Sequence, residues 1–179
     1  MELSKIIKNK YLNKFLNTHK VLRKKQIVSL DNAKSIGILA EITDENSYKQ
    51  IYALFTKLQS LEKSVWLMCY VNEKSVPYYC LQQLTADYFC KKNLNWFGKP
   101  DFVQMKDFLA KEFDMLLDFN TNAYQPNEFI LSQTNSKFII GTIKEFQPLY
   151  DLYIETENNK DQIELLKHIH HYSKKLTGE

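Results

Sequence analysis

Glu41 and Asp118 are the acids best placed for chemistry, because each ends a short apolar run and ligands of open α/β sheets collect beyond the carboxyl ends of strands. On neighbouring strands they would form a carboxylate pair able to move a proton or hold a cation; apart, they would cap helices or face water. Thr43, Asp44, Asn72, Trp96, Asn120 and Thr121 stand at comparable ends, and together these residues outline one candidate crevice. The turn Trp96-Phe97-Gly98-Lys99 sets two aromatic rings beside a glycine and a cation, which suits stacking on a base or a cofactor ring. The better reading is a Trp96 that closes the edge of the core while Gly98 lets the chain turn into Pro100.

His168, His170 and His171 crowd the last helical segment, and His168 and His171, three apart, could share a ligand. A closed zinc site needs four ligands, and HExxH and a neighbouring cysteine are both missing, so a solvated helix face is the better reading and no metal is expected. His19 stands alone among lysines as a surface residue. The four glycines, Gly37, Gly98, Gly141 and Gly178, are too dispersed for GxGxxG or GxxxxGK[ST], so neither common phosphate loop is present and no cofactor is implied. GxSxG is missing too, and no cysteine has a recognisable nucleophile context. Cys69, Cys80 and Cys90 are odd in number and fit neither paired disulfides nor CxxC, which points to reduced thiols and a cytoplasmic location. Cys69 and Cys90 fall in strands, and Cys80 is expected in a loop open to solvent.

The strongest signal is charge. The whole chain is close to neutral at +3, yet residues 1–25 hold Lys5, Lys8, Lys10, Lys14, Lys20, Arg23, Lys24 and Lys25 against the single acid Glu2, a local +7 beside a remainder of −4. A basic arm on a mildly acidic body is the pattern of a polyanion or membrane contact. Leu3, Ile7, Tyr11, Phe15 and Leu22 lie on one helical stripe, so the arm is expected to be helical, with Ile6, Leu12 and Leu16 on its other faces. The recurring lysines leave no uninterrupted apolar segment of the signal-peptide kind, so no export is expected. Val65 to Val71, the longest apolar run, falls far short of the roughly 20 residues a spanning helix requires.

The elements that must position these groups follow from the apolar spacing. Buried strands are expected at Ser35 to Ile42, Val65 to Val71, Ala86 to Cys90, Met115 to Phe119, Phe138 to Ile143 and Leu152 to Ile154. Between them come a helix capped by Thr43 or Asp44, one beginning at Pro100-Asp101 with Phe102, Met105, Leu109 and Phe113 on one side, one near Asn127 to Thr134, and a terminal helix from about Lys160 to Leu176. Two-sided apolar strands alternating with helices predict an α/β domain: a three-layer, Rossmann-like or flavodoxin-like, mostly parallel sheet over residues 31–179, with residues 1–30 as an added basic helical arm.

The segments Ala33-Lys34-Ser35-Ile36-Gly37-Ile38-Leu39, Asn93-Leu94-Asn95-Trp96-Phe97-Gly98-Lys99-Pro100, Phe113-Asp114-Met115-Leu116-Leu117-Asp118 and Tyr150-Asp151-Leu152-Tyr153-Ile154, in that order, resemble a family of small uncharacterised bacterial proteins. The resemblance covers nearly the whole chain, including the lysine-rich start, and Leu-Asn-Trp-Phe-Gly is its most specific part. It implies a single α/β domain and supplies no catalytic residue. The function expected is therefore a non-catalytic binding protein whose eight arm cations dock on a polyanion, ribosomal or other structured RNA. The alternatives are a ligand-binding protein or enzyme using Glu41, Thr43, Asp44, Trp96, Asp118 and Asn120, a peripheral protein on an anionic membrane, and a protein-binding scaffold.

Overall fold

The computed structural model describes residues 2–19, 21–155 and 161–178, with side chains from Ile6 onward. Six strands, β1 (Ser35–Ile42), β2 (Ser64–Val71), β3 (Ala86–Cys90), β4 (Met115–Asp118), β5 (Phe138–Gly141) and β6 (Leu152–Tyr153), form one all-parallel sheet in the order β3-β2-β1-β4-β5-β6. This is the Rossmann order and not the flavodoxin one, and its switch point lies between β1 and β4. Alternation along β1 decides what each layer receives. Ile36, Ile38, Ala40 and Ile42 pack on α2 (Glu45–Ser60) and α5 (Gln162–Thr177). Leu39, with Leu116 of β4, packs on α3 (Val103–Ala110) and α4 (Gln125–Gln133). With both faces covered, the strands carry the nearly continuous apolar runs seen in the sequence.

The amino ends of β1, β4 and β5 are joined by one acid. Asp114 accepts the backbone N–H groups of Lys34 and Ser35 at 2.9 and 3.0 Å and the Lys137 ammonium at 2.8 Å. Partial burial works against its charged form, but these bonds prevail and hold its carboxyl down at about 2.

Three element boundaries depart from the sequence expectation. The basic helix α1 (Glu2–Thr18) ends early, where Thr18 Oγ1 turns back to the Lys14 carbonyl. From Val21 to Gln26 the chain is not helical and is tied to the body, with Val21 N–H bonded to the Ser132 carbonyl and Gln26 N–H to that of Lys137. Leu22 therefore leaves the apolar stripe and is 98% exposed. The contact side of α1 runs through Leu12 and Phe15, flanked by Tyr11 and Leu16, so Leu12 is a docking residue and not an off-face one. Helix α3 starts only at Val103, since Pro100 is engaged in a bridge with Leu94; Phe113 is buried beyond the helix end. Strand β5 stops at Gly141 because a 3-10 helix, Lys144–Leu149, begins just after it.

Candidate polyanion face and strand-end cluster

The strands that carry the two acids near their ends are adjacent. Leu39 of β1 lies opposite Asp118 of β4, and the period of two puts Glu41 on the same sheet face as Asp118. Each acid is nevertheless committed to partners of its own. One Asp118 oxygen accepts the backbone and side-chain N–H groups of Asn120, and the other accepts the Tyr150 hydroxyl at 2.6 Å. Burial pushes the Asp118 carboxyl up, while these three bonds pull the other way. Tyr150 is also pushed up, by burial first and then by the adjacent Asp118 charge. Its ring reaches Asp118 by lying flat across β5, where any side chain at Gly141 would intrude into the ring. Glu41 accepts the Asn122 amide at 3.0 Å, and its hydrogen bond with Tyr124, followed by burial, raises that phenol.

The remaining crevice residues serve local structure. Asp44 caps α2 by accepting Ser47 N–H at 2.7 Å, and Ser47 Oγ returns the bond to Asp44 N–H. The Ser47 N–H bond holds the Asp44 carboxyl below its ordinary value. Thr43 N–H also bonds to Ser47 Oγ. A carboxylate thus occupies the helix N-terminus that a Rossmann dinucleotide site gives to pyrophosphate, and it repels one. Asn72 accepts the Tyr70 hydroxyl at 3.4 Å, and Thr121 Oγ1 accepts the Asn122 amide at 3.2 Å. Tyr150, Asn122 and Tyr124 belong to this cluster without any sequence signal beyond the proximity of Asn122 and Tyr124 to the end of β4.

Trp96 lies elsewhere, with the basic helix. Asn95 builds its turn: Asn95 Oδ1 accepts the N–H groups of Phe97 and Lys99 at 2.9 and 3.1 Å, and the Asn95 carbonyl accepts Gly98 N–H at 2.9 Å. Gly98 has φ +85°, the left-handed region that favours glycine; a Cβ there would also meet Gln125 Oε1 at 2.8 Å, the tip of a flexible side chain that can move aside, so the backbone conformation is what requires glycine. The turn sends its two rings in different directions. Phe97 stacks on Tyr11 of α1 at 3.8 Å between centroids, whereas Trp96 is 59% exposed and touches Phe97 edge-on at 5.0 Å. Phe15 meets Phe129 of α4 edge-on at 5.1 Å and stacks on His19 at 4.6 Å. Lys8 Nζ sits 5.7 Å from the Trp96 centroid, and Lys99 Nζ 4.6 Å from that of Phe15.

The arm cations divide into two sets. Lys10 and Lys14, one turn apart on the side of α1 away from Leu12 and Phe15, are exposed, as is Lys24 beyond the helix. Arg23 is the opposite case. Its guanidinium bonds to both oxygens of Asp151 at 2.8 and 3.0 Å and to the Ser136 carbonyl at 2.8 Å, with 7% of its side chain exposed. Lys25 Nζ reaches the same carboxylate at 2.8 Å from a largely exposed position, and Ile139 N–H adds a further bond. Although burial opposes it, Arg23 and then Lys25 and Ile139 hold the Asp151 carboxyl below its ordinary value. The side chains of Lys5 and Lys20 lie outside the described residues.

A family model matches residues 5–176 of the chain. The chain belongs to DUF6913, a family of unknown function. No curated protein matches it. The DUF6913 span begins within α1 and ends within α5, so it takes in the basic helix, the Trp96 turn and the whole sheet. In this DUF6913 domain His170 pairs with Asp31 at 2.9 Å, while His168 and His171 are exposed. Among the described residues no group of three or more His, Cys, Asp or Glu side chains could hold a metal ion, and no helix is long and apolar enough to cross a membrane. Cys80, expected in the open, is buried, because its loop folds back onto the layer of α2; burial pushes its thiol up to about 11. Burial likewise pushes the Cys69 thiol well up, so neither is a ready nucleophile.

Proposed function

We propose that this protein is a non-catalytic, cytoplasmic binding protein that docks on ribosomal or other structured RNA through the outer face of α1. One observation carries the reading. Leu12 and Phe15 hold α1 on α4, so Lys10 and Lys14 are presented outward from a fixed platform. The net charge of residues 1–25 is opposite in sign to that of the remainder, so attraction for phosphate is local to this helix and its surroundings. Arg23 contributes by fixing the chain behind α1 and not as a ligand cation, since Asp151 and Ser136 take up its donors. The strand-end cluster does not compete as a catalytic site, because the Glu41 and Asp118 carboxylates are engaged by separate sets of partners. The resemblance to small bacterial proteins adds a bacterial origin to this reading.

The test titrates the full chain and a Lys10→Glu/Lys14→Glu variant against ribosomal RNA and against phosphatidylserine vesicles at several salt concentrations. Salt-sensitive RNA binding that the variant loses tenfold or more is the expected result. Equal binding by both proteins, or binding to vesicles alone, overturns the proposal.

A further inference from the structure

We infer that the RNA is engaged at a single-stranded segment, with an unpaired base stacked on the exposed ring of Trp96; this rests on the RNA reading of α1 and deepens it. The turn that carries Trp96 is fixed by the Asn95 side chain and by glycine at 98, so the backbone that presents the ring is set before any partner arrives. The fold uses the neighbouring ring and leaves this one. Phe97 is inserted flat against Tyr11, while Trp96 keeps 59% of its surface in solvent and, among the described residues, has an edge contact with Phe97 and the Lys8 ammonium 5.7 Å from its centroid. A large aromatic presented from a rigid turn beside cations is the arrangement by which single-strand-binding surfaces hold bases, the cations tracking phosphate and the ring taking a base face. Lys8 lies by the Trp96 ring, and Lys99, three residues on in the same turn, holds its ammonium over Phe15, so positive charge for the phosphates of a strand is supplied from both the helix and the turn. A duplex offers no such contact, because its base faces are already stacked on one another. The basic helix and the aromatic turn, separate in the sequence, form one surface through the stack of Tyr11 on Phe97.

The experiment uses the full chain and fluorescein-labelled RNAs of about 12 nucleotides, a length within the usual reach of one single-strand-binding fold. These are oligoadenylate, an abasic strand of the same length and a duplex of the same length. Oligoadenylate is expected to bind best and to quench tryptophan emission. Trp96→Ala is expected to lose roughly 5- to 100-fold for oligoadenylate, the range one stacked base supplies, to bring it level with the abasic strand, and to leave the salt dependence unchanged. Trp96→Phe is expected to retain most of the preference. Thermal unfolding of Trp96→Ala is expected to stay close to that of the wild type, which separates lost stacking from lost folding. If wild type and Trp96→Ala bind all three RNAs alike and with steep salt dependence, stacking is refuted while the α1 reading stands. If the wild type binds none of the three, both fail.

Discussion

Replacing Arg23 with alanine separates structural cations from binding cations within the same 25 residues. The side chain is 7% exposed and makes three charge-assisted bonds, two to an Asp151 carboxylate that is itself 10% exposed and one to the Ser136 carbonyl. Removing one member of a buried ion pair leaves the other desolvated and uncompensated, at a cost of about 3–5 kcal/mol. Lys25, reaching Asp151 from solvent, offsets part of this, so the lower end of that range applies. For a domain of this size the melting temperature falls by roughly 2–4 °C per kcal/mol, giving a drop of roughly 6–12 °C. Urea unfolding followed by circular dichroism at neutral pH measures the free-energy loss, and a thermal scan measures the shift in melting temperature. The pH dependence has a definite sign. Asp151 has a lowered carboxyl in the folded state, so its contribution is complete above the ordinary value of 3.8 and is lost as pH falls below it. The gap between wild type and Arg23→Ala should therefore narrow only in strong acid. A stability loss under about 1 kcal/mol, the size expected of an exposed ion pair, together with a larger loss of RNA binding than at Lys10 and Lys14, would refute the assignment of Arg23 as an anchor.

Gly141→Ala places a methyl group inside the Tyr150 ring and drives its hydroxyl off Asp118, so urea unfolding should show a loss of about 2–4 kcal/mol from overpacking plus an unpaired buried carboxylate; a loss below about 0.5 kcal/mol would contradict the packing described. Asp114→Asn should remove roughly 2 kcal/mol of stability that the wild type holds above pH 3.8 and surrenders as pH falls through about 2, and acid titration of both proteins checks whether their curves converge there. Asp118 is a carboxyl raised by burial, so its ionisation opposes folding increasingly as pH rises above 3.8; Asp118→Asn should gain stability relative to wild type over that rise, and a pH-independent difference would rule the shift out.

The fold was legible in the sequence because two-sided burial leaves a plain mark. The runs Ser35 to Ile42 and Val65 to Val71 are apolar on both pleat faces, and they appear as strands at nearly those bounds. Strand order left no such mark, since it depends on which edges pair and not on what any one strand contains. The placement of Asp118 beside β1 followed only from that pairing. Tyr150 was invisible for a similar reason: its partner lies 32 residues away, and the cue that links them is the missing side chain of Gly141 on the intervening strand. The arm shows both outcomes. Its charge was evident from composition, but Arg23 could not be told from Lys24 until Asp151, far along the chain, was found beneath it. Trp96 and α1 drew notice separately, and only the Tyr11 to Phe97 stack makes them one surface.

The salt dependence of oligoadenylate binding tests the central claim most directly, comparing the full chain with Lys10→Gln/Lys14→Gln. Point changes are preferable to deleting residues 1–25, because that deletion would also remove the buried Arg23. With Arg23 and Lys25 held by Asp151, Lys8, Lys10, Lys14 and Lys24 are the other arm cations whose side chains are described; if three or four of them meet phosphates, the slope of log K against log salt is roughly −2 to −3 at about −0.7 per contact. The double variant should bind more weakly, with a slope shallower by about 1.4. A wild-type slope near zero, or a slope unchanged in the variant, would contradict the assignment of α1 as the phosphate-binding element.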